Sequence, residues 1–64
     1  MKLQINSNGA WRNVLDYPED RDAEVRKHAA FLASITGDKL RLLRDDGNPA
    51  ASWTRETGWK EWNR

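Results

Sequence analysis

The chain has no cysteine and a single histidine, His28. It can therefore form neither disulfide staples nor a thiolate zinc site, which argues against the disulfide-rich secreted class. No apolar run approaches the roughly 20 residues of a membrane span. The opening residues, Met1-Lys2-Leu3-Gln4-Ile5-Asn6, lack the apolar stretch of a secretory leader. A soluble, cytoplasmic protein with no membrane partner is the expectation. An excess of one charge is missing too. Lys and Arg number 11 against 10 for Asp and Glu, giving a net charge of +1. The chain as a whole is not drawn to a polyanion, so any such preference must come from local segregation of charge.

Catalytic signatures are equally scarce. There is no Gly-x-Ser-x-Gly elbow, no Gly-x-x-x-x-Gly-Lys phosphate loop and no Gly-x-Gly-x-x-Gly turn. Asp20, Asp22 and Glu24 lack the glycine-containing spacing of a calcium loop, and no second His or any Cys exists to complete a zinc site. His28 lies four residues after Glu24 and could be pictured as a base with an orienting carboxylate. On an apolar helix face, however, it reads first as a packing residue. A non-enzymatic protein with no catalytic residue, no metal and no cofactor is expected.

What the chain does contain is an amphipathic segment, Asp22 to Ile35. At about 100° per residue, Val25, His28, Ala29, Leu32 and Ile35 fall in one stripe, with Phe31 on its flank and Glu24, Arg26, Lys27, Ala33 and Ser34 elsewhere. The stripe needs a partner surface, and its neighbours supply one. Lys2 to Asn6 alternates with Leu3 and Ile5 on one face. Asn8-Gly9 is a hairpin signal, because both residues tolerate the positive φ of a type I′ turn. Trp11 to Tyr17 continues as a second strand, with a β-bulge near Arg12-Asn13 if Trp11 and Val14 are to share a face. Pro18 ends that strand, Asp20 is the expected helix cap, with Asp16 and Glu19 as an earlier capping box, and Gly37 is the expected helix stop.

Lys39 to Arg44 and Ala50 to Arg55 read as two more strands around an Asp45-Asp46-Gly47-Asn48 turn. Leu40, Leu42, Ala51 and Trp53 point inward. The expectation is a single α+β domain over 1–64 in ββαββ order: one small antiparallel sheet with the helix packed on one face. Leu32 is expected at the centre of the contact, opposite Leu3, Ile5, Leu40 and Leu42.

Two surfaces are candidates for function. The tail, residues 57–64, carries Trp59 and Trp62, which with Trp53, Arg55 and Arg64 make a cluster of the residue types most enriched at interface hot spots. They either complete the core or anchor a partner. The sheet face opposite the helix gathers Lys2, Gln4, Asn6, Arg12, Lys39, Arg41, Ser52 and Thr54, with Asp16 its one acid. Such a basic, polar face can meet phosphates, or it can simply be solvated. The function expected is a small binding module for a protein partner or a second copy of itself, through Arg55, Trp59, Trp62 and Arg64. The alternative is a nucleic-acid-binding module using Lys2, Arg12, Lys39 and Arg41.

Overall fold

The structure, a computed structural model, describes residues 1–62. Strands β1 (Lys2–Ser7) and β2 (Ala10–Asp16) precede helix α1 (Asp22–Thr36), and β3 (Lys39–Leu43), β4 (Pro49–Thr54) and β5 (Gly58–Glu61) follow it. All pairings are antiparallel and the sheet order is β2-β1-β3-β4-β5. The α+β class and the ββαββ order are as expected. The tail adds a fifth strand, paired along β4 from Thr54↔Gly58 to Ala51↔Glu61.

Local chemistry accounts for the connections. Asn8 and Gly9 take φ of 55° and 82°, the left-handed conformations a tight β1–β2 hairpin demands. Gly37, at φ 82°, ends α1 by donating its N–H to the Ala33 carbonyl at 2.7 Å. In the β3–β4 turn, the Asp46 carboxylate accepts the Asn48 N–H at 2.9 Å, and this hydrogen bond holds the carboxyl below its ordinary pKa. The N-terminus of α1 differs from expectation. Glu19–Arg21 forms a 3-10 turn that runs straight into the helix, and no side chain caps it. Asp20 is therefore not a cap. The first carboxylate of α1 is used laterally instead: Asp22 accepts the Tyr17 hydroxyl at 2.6 Å and the Arg26 Nε–H at 2.7 Å.

The core is formed by Leu3, Tyr17, Ala29, Ala33, Leu40, Leu42, Ala50, Ala51 and Trp53. The sheet contributes the inward residues its alternation predicts, but the helix is turned by nearly a quarter of a turn from the expected register. Ala29 and Ala33 are buried, whereas Leu32 and Ile35 are exposed. The placement of Leu32 at the centre of the core is thus overturned, and two causes are visible. The sheet already supplies the bulk through Leu3, Leu40, Leu42 and Trp53, so close approach requires small residues on the helix. Polar ties then fix the rotation. Trp59 donates its indole N–H to the Arg26 carbonyl at 3.0 Å. Arg26 pairs with Glu61 of β5, an acceptor that raises the guanidinium pKa. Arg55 donates to the Ser34 carbonyl at 2.6 Å. All three draw α1 toward the β4–β5 side.

Candidate interaction site

Drawing the helix to one side leaves the other side bare. A helix with its side chains is about 10 Å across and neighbouring strands are about 4.8 Å apart, so one helix covers about two strands. The sheet has five among the described residues. The uncovered part is β2, where a cleft of about 580 Å³ opens between it and α1. Its floor is Leu3, Val14 and Leu15, its wall Val25, Ala29 and Leu32, and its rim Asp16, Arg21, Glu24 and His28. A smaller, wholly apolar recess at Ile5, Leu40, Ala33 and Thr36 extends it along the helix.

The bulge in β2 shapes that floor. Leu3 pairs with Leu15 and Gln4 with Asn13, leaving Val14 as the extra residue. The bulge thus lies next to its expected position, and its effect is different: Val14 and Leu15 both turn to the helix side, while Trp11, opposite Asn6, lies on the other face. By the same register Arg12 pairs with Ile5 and so belongs to the helix side. Arg12 is not part of the basic face where the alternation had put it.

Three large apolar side chains that line this cleft stand exposed, Val14 at 55%, Leu15 at 45% and Leu32 at 61%, and α1 carries two more, Phe31 at 66% and Ile35 at 68%. Sequence reading assigned Leu32 and Ile35 to the core and missed this surface. The signal was present in the width of the apolar arc. Ala29, Ala30 and Ala33 form a small-residue seam beside the larger Leu32, His28, Ile35 and Phe31, which is more apolar surface than one sheet contact uses.

The tail candidates separate. Trp59 is half-buried against the core, cross-strand from Trp53, with the Arg26 guanidinium 5.5 Å from its ring centroid. Arg55 closes the helix C-terminus beside Gly37. Both make internal contacts, so at Trp59 the tail completes the core. Trp62 is exposed, although its backbone N–H still reaches the Ala50 carbonyl at 3.0 Å. Arg64 lies outside the described residues. The pictured acid–base pair is not assembled either. His28 Nδ1 lies 2.8 Å from the backbone carbonyl of Glu24, whose carboxylate meets Arg21 Nε at 2.7 Å.

On the opposite face of the sheet, Lys2, Lys39 and Arg41 lie together as expected, joined by Lys60 from β5. Here the structure adds an aromatic. The Arg41 guanidinium sits 4.2 Å from the centroid of the Trp11 ring and donates its Nε–H to Gln4 at 2.6 Å, and Gln4 in turn donates to Asn13 at 2.6 Å. Among the described residues no three His, Asp or Glu side chains converge as a metal site, and no helix is long and apolar enough to cross a membrane. No family model, curated protein or solved structure matches the chain.

Proposed function

We propose that this chain is a non-enzymatic protein-interaction module acting in the cytoplasm, and that it docks another polypeptide in the cleft between α1 and β2. The observation that supports this reading is the gathering of Val14, Leu15, Phe31, Leu32 and Ile35 on one side of a 64-residue chain. Large contiguous apolar patches rimmed by polar residues mark interaction surfaces on soluble proteins. The test is site-specific photo-crosslinking in the source cell. A photoreactive residue replacing Leu32 gives a discrete adduct with a polypeptide, and one replacing Lys60 does not. A chain that crosslinks equally at both positions, or at neither, defeats the reading.

A second reading is favoured by one observation on the other face. Trp11 is exposed beside Arg41, with Lys2 and Lys39 on the neighbouring strands. A basic sheet face with a stacking ring suits a single-stranded nucleic acid. Binding of an oligonucleotide would then weaken steeply with salt, as counterions are released. It would be lost in a Lys39→Glu/Arg41→Glu variant and reduced in Trp11→Ala. No binding at low ionic strength ends this reading.

A further inference from the structure

We infer that the occupant of the cleft is a second copy of this chain, in a two-fold dimer that seats Phe31, Leu32 and Ile35 of each helix over Val14 and Leu15 of the other. The inference rests on the interaction reading above and names its partner. Shape is the first argument. A two-fold interface uses one patch twice, so the patch must hold a hollow and something that fills it. Here α1 and β2 hold both: Val14, Leu15 and Leu32 line the hollow, and exposed Phe31 and Ile35 flank Leu32 along the helix that forms the cleft wall.

Area is the second argument. At roughly 150 to 250 Å² for a large apolar side chain, the observed exposures leave about 440 to 740 Å² of surface on each chain. That range brackets the upper end of what a monomer's largest patch reaches. Two copies covering these side chains fully would remove about 900 to 1,500 Å², a range that spans the roughly 1,000 Å² a specific interface needs.

Charge and edge chemistry narrow the choice further. Among the described residues the rim pairs Arg21 with Glu24 and adds Asp16 and His28, and Arg12 lies on the same side of the hairpin, so charges of both signs are mixed there. A strongly acidic or basic segment therefore finds no complement there, whereas a copy with net charge +1 meets little repulsion. An extended peptide adding to β2 is also disfavoured. That edge carries a bulge at Val14 and a charged residue, Arg12, on its inward face, both of which obstruct strand addition. The contact is left to the faces, where helix and hairpin floor meet.

The experiment is sedimentation equilibrium of the full chain across a wide concentration range. Wild type is expected to pass from monomer to dimer, and Leu32→Glu to self-associate at least tenfold more weakly. Leu32 is exposed in the monomer, so the variant should keep its fold; Ile35→Lys, further from the sheet, serves if it does not. Leu15→Lys should likewise fail to dimerise, and a mixture of Leu32→Glu with Leu15→Lys should form a mixed dimer, because the two new charges face each other. Wild type that stays monomeric throughout overturns the inference, as does a Leu32→Glu variant that dimerises like wild type. If monomeric wild type still crosslinks through Leu32 to a different polypeptide, the second copy is ruled out while the docking function stands.

Discussion

The two halves of the sheet are finished to different degrees. On the β4–β5 side, α1 is tied down by Trp59, Arg26 with Glu61, and Arg55, and the strands beneath it bury Ala50, Ala51 and Trp53. On the β1–β2 side, every residue of β2 is exposed and the helix offers Phe31, Leu32 and Ile35 to solvent. The same helix is therefore half stabilising element and half recognition surface. Packing alone does not require this division, since a rotation of the helix would have buried Leu32. It follows from small residues at 29 and 33 combined with polar ties on one side only.

The largest test of this contrast sets two leucines against each other. Leu42 is fully buried between β1 and β4, and Leu42→Ala should cost about 2 to 5 kcal/mol, much of the stability of a domain this size. Leu32→Ala should cost about 0.5 kcal/mol or less in the monomer, since little is buried to lose. Urea titrations at low protein concentration measure both. Equal losses would show that the helix sits in the register its apolar stripe suggests.

Next in size is Trp59→Ala, which removes both packing beside Trp53 and the bond to the Arg26 carbonyl. A loss of about 2 to 3 kcal/mol is expected, with no direct effect on a partner bound in the cleft. A Trp59→Ala chain with an unchanged melt but a lost partner would reverse the roles assigned to the two halves. Glu61→Gln should be milder, about 0 to 1 kcal/mol, because its pairing with Arg26 is partly exposed to water.

The pattern of legibility follows from which interactions are local. Alternation at Leu3/Ile5, Leu40/Leu42 and Ala51/Trp53, the Asn8-Gly9 turn and the Gly37 stop are written within a few residues, and each reads correctly. The rotation of α1 depends on Trp59, Glu61 and Arg55, which are 21 to 35 residues away from their helical partners. Nothing in the helix's own period reports them. The face of Trp11 depended on a bulge misplaced by one residue, and in a strand one residue exchanges the two faces. The cleft was missed for both reasons together: one of its walls was assigned to the core, and its floor comes from that bulge.

An effect that changes with pH is expected where the two halves join. Tyr17 is buried at the end of the cleft and donates its hydroxyl to Asp22 at 2.6 Å. Burial first, then the hydrogen bond to the Asp22 carboxylate, raises the phenol well above its ordinary pKa of about 10. At neutral pH the phenol is protonated in both the folded and unfolded chain, so its share of the stability is fully present. As pH rises past about 10 the unfolded chain releases the proton while the folded chain holds it, and stability falls with increasing pH. Tyr17→Phe should cost about 1 kcal/mol at neutral pH through the lost hydrogen bond. The informative quantity is the difference between wild type and variant, in which everything the two chains share cancels. That difference should shrink above pH about 10. A constant difference across the alkaline range would mean that Tyr17 ionises as freely in the folded chain as in the unfolded one, and hence that the cleft is open to water down to its end.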